Sequence, residues 1–374
     1  MRIKVCILQN GLARGGTDTF VVNLCKGLNS NKYDITVINP SNKKESLVRE
    51  PEVLQTGARI IHTSPLNRGL ISKIRHLVML YQILKKEKYD VFQTNIDLFN
   101  GPQLFVAWLA GVPVRCCHSH NSMQQRALVS GMTFSIRVYQ YIMKWMCWTF
   151  SNRRLGCSEA AMDFLFTGKK WWQSKYPVII SNGIDIKNFR LPIDINKKKE
   201  EIGIKAKYNI VTIGRIIPQK NPIFIVEVFS ELCKTRNDVD LVWIGIGDKE
   251  NKCQEILKSN GVLGRVHFLG SRTDVNEILP CCDLFFLPSA FEGLGIVVIE
   301  AQAAGLKCLV SDVVPRETNC GIVNYLSLSC SKQEWVQTIS DMLDGKYSFV
   351  LDEDRIQKYS IQFMAEQMEK VFDN

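Results

Sequence analysis

The sequence predicts an α/β protein built from two doubly wound halves, and three observations carry that prediction. The chain has 374 residues, more than one hydrophobic core usually serves, so two domains are expected. Two stretches open alike: Ile3–Leu8 precedes a loop with three glycines, and residues 210–213 precede Gly214. Behind each start, apolar runs alternate with helical patterns. That order is typical of parallel sheets covered by helices.

The remaining elements are predicted in chain order. In the first half, strand-like runs cover residues 35–38, 91–94, 112–117 and 155–157, separated by helical patterns such as 70–86. In the second half, they cover residues 241–244, 266–269, 284–287 and 307–310. The charged stretch 194–207 predicts a surface segment just after the connection, which falls near residues 177–191. We predict domains over residues 1–182 and 183–354, and a closing segment over 355–374.

Composition excludes several classes of protein. The chain is 46% hydrophobic and 22% charged, as in a soluble globular protein. It has no apolar run near the ~18 residues that span a bilayer. The N-terminus lacks a small-residue cleavage site, so we expect no signal peptide. The thirteen cysteines form no C-x-x-C and lie mostly in apolar runs, which indicates reduced core cysteines in a cytosolic protein.

The formal net charge of +10 predicts an anionic partner. Nucleic acid fits least, because no helix-turn-helix, zinc-finger or RNA-recognition signature accompanies the charge. A diphosphate ligand explains one or two basic residues. An anionic membrane surface explains the rest most economically.

The most informative segment is 288–318, where Glu292 and Glu300 stand on either side of a glycine-rich turn that runs into a predicted helix. A helix N-terminus favours phosphate, and Gly293 and Gly295 allow close approach to the backbone. Five residues beyond Gly295 is roughly 7–8 Å of helix rise, which takes the Glu300 carboxylate to a ribose and its two hydroxyls. Glu292 would face the group beyond the diphosphate. The segment therefore predicts a nucleotide-sugar site.

This segment, PSAFEGLGIVVIEAQAAGLKCLVSD, resembles the donor-site signature of retaining glycosyltransferases of family four, most closely the capsule and exopolysaccharide branch. The resemblance extends through HSHN at 118–121, CSEAA at 157–161, SNGID at 181–185 and GRIIPQKN at 214–221. It implies the GT-B fold, two facing Rossmann-like domains with a cleft between them. It also implies a C-terminal helix, around 355–372, that crosses back to the first domain.

The same resemblance implies an activity. The protein would move a sugar, hexosyl or N-acetylhexosaminyl, with retention from a nucleotide diphosphate donor, most simply a UDP-sugar, to a lipid-linked glycan. It would work in the cytoplasm, peripherally bound to the inner face of the membrane, without a cofactor. Two alternatives stay open: a non-catalytic donor-binding subunit of another transferase, and a nucleotide-sugar epimerase of similar architecture.

Individual roles follow from the resemblance. Arg215 and Lys220 would bind the donor diphosphate, since without a metal the leaving-group charge must meet fixed cations. His120 would contact the transferred sugar, with His118 as the alternative, and Asn121 would help. The catalytic residues implied are His118, His120, Arg215, Lys220 and Glu292. The implied donor-binding residues are Gly15, Gly16, Gly214, Arg215, Lys220, Leu269, Glu292, Gly293, Leu294, Gly295 and Glu300.

Other patterns favour ordinary structural roles. His118 and His120 fit packed side chains better than a metal site. Asp238 and Asp240 spell the D-x-D that holds a metal in a different transferase fold, but they lie outside any nucleotide context, so a solvated turn and no essential metal are expected. Asp18 is an N-cap or a general base for the acceptor hydroxyl, and the N-cap is favoured.

Two further segments bear on the surface. Residues 134–150 predict a helix with a narrow polar stripe of Arg137, Gln140 and Lys144, and a mostly buried helix is favoured. Residues 168–176, GKKWWQSKY, interleave lysines with tryptophans. That composition suits a membrane interface and equally a plain exposed loop.

Overall fold

The computed structural model describes residues 2–13, 15–41, 48–122, 133–176 and 178–373. The chain divides into two compact units. Unit 1 comprises residues 1–184 with 358–374, and unit 2 comprises residues 185–357. Each unit contains a parallel sheet of six strands.

Unit 1 is built on the strands β1 (Ile3–Leu8), β2 (Tyr33–Asn39), β3 (Arg59–His62), β4 (Val91–Thr94), β5 (Val114–Ser119) and β6 (Arg153–Gly156). Its described helices are α1 (Gly16–Gly27), α2 (Glu50–Gln55), α3 (Leu70–Glu87), α4 (Asn100–Ala110), α5 (Phe134–Phe150) and α6 (Glu159–Leu165). The sheet order is β3-β2-β1-β4-β5-β6. The chain therefore reverses direction across the sheet between β1 and β4, and open α/β sheets bind ligands beside such a point, at the carboxyl ends of the strands.

Helices cover both faces of the unit 1 sheet. Alternate side chains of a strand point to opposite faces, so each strand contributes to two cores. Val5 and Ile7 of β1 pack with α1 on one face. Cys6 and Leu8 pack with α3, α4 and α5 on the other. Such a doubly covered sheet explains why its central strands read as continuous apolar runs.

The C-terminal segment also belongs to unit 1. Helix α14 (Ile361–Asp373) packs against α1 and places Met364, Met368 and Phe372 in the core beside β1. Its end is fixed by Asp373, which accepts hydrogen bonds from Lys32 Nζ at 2.5 Å and Tyr33 Oη at 3.0 Å.

Unit 2 is built on β7 (Tyr208–Ile213), β8 (Val239–Ile244), β9 (Val266–Phe268), β10 (Leu284–Leu287), β11 (Lys307–Ser311) and β12 (Val323–Leu326). Its described helices are α7 (Ile195–Ile202), α8 (Pro222–Leu232), α9 (Glu250–Ser259), α10 (Val275–Ile278), α11 (Ile296–Ala303), α12 (Lys332–Leu343) and α13 (Glu353–Gln357). The order β12-β11-β10-β7-β8-β9 puts the reversal between β7 and β10. The loops after these two strands are those that the sequence assigns to the donor.

Two predictions about local structure are wrong. Helix α5 forms over the predicted residues but is not mostly buried: Tyr141 is 75% and Trp145 54% exposed. The D-x-D is not a solvated turn. Asp240 lies within β8 and its carboxylate is 3.0 Å from His267 Nε2, while Asp238 is held in two contacts by Arg236. Asp240 is therefore occupied by its strand position and its contact with His267, and Asp238 by its ion pair with Arg236.

Two observations concern the surface and the cysteines. Within the described residues, no helix is long and apolar enough to cross a membrane. All thirteen cysteines lie in the described part of the chain and are free thiols, most of them buried. Burial raises the pKa of Cys25 to about 12, so such thiols stay protonated and unreactive.

Candidate functional site

The loops after β7 and β10 hold the predicted donor residues of unit 2 other than Leu269. Because neighbouring parallel strands end at the same sheet edge, these loops emerge side by side, and they are tied together by hydrogen bonds. Ala290 N donates to Gln219 O at 2.8 Å, and Gln219 Nε2 donates to Phe291 O at 3.3 Å. The short 3₁₀ turn Pro218–Lys220 is thereby fixed beside the glutamate loop.

Lys220 and Glu292 form the centre of this arrangement. Lys220 Nζ lies 2.5 Å from Glu292 Oε1, and the same oxygen accepts a hydrogen bond from Ser289 Oγ at 2.6 Å. The Glu292 side chain is only 6% exposed and that of Lys220 15% exposed. A paired, hydrogen-bonded carboxylate of this kind is held in one orientation. The structure thus brings together two residues that the sequence separates by seventy-two positions.

The loop after β7 packs so closely against the loop after β8 that two glycines at the contact leave no room for a side chain. Gly214 has φ +152°, and a Cβ on it would lie 2.9 Å from Lys220 Cε. Gly245, after β8, has φ +143°, and a Cβ there would lie 2.0 Å from the Gly214 carbonyl oxygen. These glycines allow the loop carrying Arg215, which is exposed, to lie directly on the loop after β8.

Helix α11 begins as the sequence predicts. Gly295 is its N-cap, with φ +82° in the left-handed region, and Ile296 is its first residue. Gly293 and Leu294 are buried, and Glu300 is half-buried on the helix. Leu269 follows β9, where its N–H donates to Trp243 O at 2.9 Å. It therefore follows a strand that is two positions from β7 and three from β10 in the sheet, while the other predicted donor residues of unit 2 follow β7 and β10.

In unit 1, the two histidines lie together at the end of β5. Their ring centroids are 4.1 Å apart, and the edge of Phe20 from α1 packs on His118 at 4.7 Å. His120 Nε2 is 3.1 Å from Asn95 Oδ1. Burial lowers the pKa of His120 to about 3, and burial with the neighbouring ring holds the pKa of His118 well below its usual value. Both rings are therefore neutral near pH 7.

Asp97 is the residue that sequence reasoning missed. It follows β4 with φ +47°, an uncommon value for a non-glycine residue. Its Oδ1 accepts from His120 N at 2.9 Å and its Oδ2 accepts from Asn121 Nδ2. Burial raises the pKa of the Asp97 carboxyl and outweighs these hydrogen bonds, which lower it. The sequence does predict the strand 91–94. The polar residues directly after it, at the reversal beside β1, are the signal that could have identified Asp97 as a site residue.

The glycine turn after β1 lies at that same reversal. Gly15 is the N-cap of α1 and Gly16 its first residue. Asp18, in the first turn, accepts from Gly15 N at 2.9 Å and from Gln9 Nε2 at 2.8 Å. Both carboxylate oxygens are used inside unit 1. The predicted N-cap position is wrong, because Gly15 holds it, and Asp18 instead binds the N-cap backbone N–H from the third helical position. Burial raises the pKa of Asp18, opposed chiefly by the Gly15 contact.

Family comparisons agree with this architecture. Residues 14–188 match the family described as Glycosyltransferase Family 4, and residues 194–361 match Glycosyl transferases group 1. The chain belongs to family four of the glycosyltransferases and has the GT-B fold of two Rossmann-like domains.

Individual relatives are similar over long stretches. The chain is 31% identical over 271 residues, 69% of its length and 66% of the relative's, to an Escherichia coli UDP-Gal:alpha-D-GlcNAc-diphosphoundecaprenol alpha-1,3-galactosyltransferase. It is 23% identical to the Staphylococcus aureus capsular polysaccharide biosynthesis glycosyltransferase CapH, over 99% of this chain and 98% of the relative. An Anabaena HepE crystal structure in complex with UDP-glucose shares the fold with a TM-score of 0.82 and 15% identity, each chain being covered completely at 100%.

Proposed function

We propose that this glycosyltransferase moves a sugar from a UDP-sugar to a lipid-linked glycan, with retention of configuration, in the assembly of a capsule or exopolysaccharide. The observation that carries the proposal is the Lys220–Glu292 pair at the reversal point of the unit 2 sheet. Next to it lie the glycine loop after β7 and the N-terminus of α11. Together they offer cations, backbone N–H groups and carboxylates, which are the groups that bind a diphosphate and sugar hydroxyls.

In this proposal Lys220 and Arg215 bind the diphosphate. The bond from the anomeric carbon to the β-phosphate oxygen breaks, and the electron pair stays on the departing diphosphate. Fixed cations and the positive end of α11 stabilise that charge most in the transition state. No metal is needed for this step, so turnover is expected to survive EDTA. Abolition by chelation with rescue by manganese would contradict it.

The two glutamates take the remaining parts of the donor. Glu300, one turn into α11, accepts from the ribose hydroxyls, and Glu292 orients the sugar while it keeps Lys220 in place. A new bond forms between the anomeric carbon and the acceptor hydroxyl oxygen, whose proton is released. Retention rests on the family resemblance.

Unit 1 is proposed to supply contacts to the sugar and the acceptor. A buried neutral histidine such as His120 donates or accepts one hydrogen bond, according to its tautomer, and does not deliver a proton at pH 7. Asp97 holds the backbone of His120 and the side chain of Asn121. It is a positioning residue in this scheme.

The acceptor and the place of work rest on two supports. The Escherichia coli relative is named for a diphosphoundecaprenol-linked acceptor and a UDP-galactose donor. The positive net charge of +10 suits an anionic surface. We therefore propose a cytoplasmic protein bound peripherally to the inner face of the membrane, with no nucleic-acid partner and with a hexosyl or N-acetylhexosaminyl group as the sugar.

A screen of the purified protein against a panel of nucleotide sugars tests the donor half. Binding of one UDP-sugar, with slow release of UDP in the absence of acceptor, is expected. Binding without any turnover, even with acceptor, would favour a non-catalytic subunit. Conversion of the sugar within the intact nucleotide would favour an epimerase.

A further inference from the structure

Helix α5 has an exposed apolar face on the side opposite the residues that it buries in the core. Its exposed residues recur every three or four positions and so form one stripe: Phe134 (82% exposed), Val138 (41%), Tyr141 (75%), Ile142 (44%) and Trp145 (54%). Ile136, Gln140 and Cys147 are its buried side. Charged residues normally occupy the outward side of a helix that covers a sheet.

The apolar stripe continues onto α4. Trp145 packs against Phe150 with ring centroids 6.0 Å apart, and Phe150 packs against Trp108 at 5.5 Å. Trp108 is itself 50% exposed and Leu109 48%. We call these exposed residues of α4 and α5 the aromatic face. An exposed patch that is continuous across two helices marks an interaction surface.

Helix α3 carries a second exposed apolar stripe in the same unit. Its members are Leu70 (73% exposed), Ile71 (78%), Ile74 (53%) and Val78 (52%). Both α3 and α5 pack against α4, so the three helices cover the same side of the sheet. Exposed apolar residues are therefore concentrated on this side of unit 1.

The charge around the aromatic face is positive. Neither α4 nor α5 contains an acidic residue. Lys144 lies beside the stripe, with Nζ 4.6 Å from the Phe164 ring centroid, and Lys169 Nζ lies 5.4 Å from that of Trp148. Arg137, exposed on α5, is a third base at the edge.

The whole surplus of positive charge belongs to the same unit. Unit 1 contains 26 Lys and Arg against 13 Asp and Glu, whereas unit 2 contains 21 against 24. The net charges are thus +13 and −3, which add to the +10 of the chain. A partner that binds unit 1 by its charge must be strongly anionic.

We infer that the aromatic face inserts into the headgroup region of an anionic phospholipid bilayer, with Arg137, Lys144 and Lys169 at its edge. Exposed Trp and Tyr beside bases are the side chains that settle at a membrane interface. A second copy of the chain fits less well, because a symmetric pairing through this face would bring two units of net charge +13 together. The inference rests on the proposed function, which places the protein at a membrane, and adds the surface of unit 1 that makes the contact.

Vesicle flotation of the full chain tests this inference. Vesicles of phosphatidylcholine with 30% phosphatidylglycerol are compared with pure phosphatidylcholine at about 50 mM and 300 mM salt, a range over which exposed charges become largely screened. The wild type is expected to float with the anionic vesicles at low salt, and to do so at least about tenfold less when Tyr141→Gln and Trp145→Gln are combined. Val350→Gln, at a residue of unit 2 that is 80% exposed, is the matched control and should float like the wild type.

Equal flotation of the double variant and the wild type, or no flotation of the wild type, would overturn the inference. So would a wild type that is dimeric in solution and becomes monomeric in the double variant. Release of UDP from the soluble donor is measured on every variant. If the wild type and the double variant release UDP equally while only one floats, the face acts in docking alone. If neither releases UDP but flotation behaves as expected, the donor proposal fails and the membrane inference stands.

Discussion

The Lys220–Glu292 contact gives both residues a role before any donor binds. A cation that is already held in the site need not be ordered when the diphosphate arrives, and a buried carboxylate beside it does not remain uncompensated. Removing the cation should therefore affect the chemical step more than the binding of the donor.

Lys220→Ala and Arg215→Ala are each expected to lower kcat by about 10²–10³-fold, because leaving-group charge is greatest in the transition state. The KM for the donor should change by much less. Steady-state kinetics with a saturating acceptor measure both constants, and Lys258→Ala, at an exposed position on α9, is the control. An equal loss in binding and turnover would argue against assistance to departure.

Glu300→Gln should weaken UDP binding by about 1–3 kcal/mol, since a charged acceptor of two ribose hydroxyls becomes neutral. Titration calorimetry with UDP gives the affinity directly. Glu255→Gln, an exposed change on α9, serves as its partner control. An unchanged affinity for UDP would remove Glu300 from the ribose role.

The buried histidines make stability depend on pH. The pKa of His120 is about 3 in the folded state, below the ordinary 6.5 that we assign to the unfolded chain. Its stabilising contribution is complete above pH 6.5 and is lost as pH falls towards 3, because only the unfolded state takes up the proton. Between pH 7 and pH 5 this lowers the free energy of unfolding by about 2 kcal/mol.

Thermal unfolding of the wild type and of His120→Gln at both pH values measures that contribution. The midpoint of the variant should fall less between pH 7 and pH 5 than that of the wild type. Identical pH dependence in the two proteins would show that His120 is not buried as a neutral ring.

At this scale the sequence reveals residue types but not their partners. The neighbouring positions of His118 and His120 followed from the two-residue strand period, and their rings do lie together. The contact of Lys220 with Glu292 joins two loops, and no local pattern predicts it. Asp97 was missed because its role depends on which strands are neighbours, and strand order is not written in local spacing.

At the scale of elements, the loop after β7 depends on the glycine that follows β8. Gly245→Ala places a methyl group 2.0 Å from a backbone oxygen of Gly214, so the loop that carries Arg215 and Lys220 must move. We expect donor binding to be lost and unit 2 to be destabilised by at least about 1–3 kcal/mol.

Gly264→Ala is the matched control, because a Cβ at that position meets nothing within 4 Å. Donor binding by fluorescence and unfolding by circular dichroism give the two readouts. Donor affinity in Gly245→Ala equal to that of the control would mean that the packing of these two loops is irrelevant to the donor.

Elements were predictable where they are apolar runs with clear ends. Strands β1, β4 and β10 occupy the residues that the sequence indicates. Strands β3 and β12 were missed: they lie at sheet edges, have only four residues each and are mostly half-buried. Edge strands lack the continuous apolar pattern of central ones. The prediction that α5 is mostly buried was wrong because the helix has an outward apolar face. Apolar periodicity alone does not distinguish a core contact from an exposed interaction surface.

At the scale of the whole molecule, the two units differ in charge as they are proposed to differ in role. The near-neutral unit holds the predicted donor site, and the positive unit carries the exposed aromatic residues. The net charge and its division between the units were both available from the sequence, because residues 358–374 carry two Lys against three Asp and Glu and change the division by only one charge.

Transfer to a defined acceptor is the decisive test of the proposed glycosyltransferase activity. The purified protein is incubated with UDP-sugars and a GlcNAc-diphospholipid, released UDP is quantified, and the new glycosidic bond is examined by NMR. We expect one UDP released per bond formed, with the anomeric configuration of the donor kept in the product. An inverted product, or a panel of donors and acceptors from which no glycosidic bond forms while UDP-sugar binds normally, would contradict it.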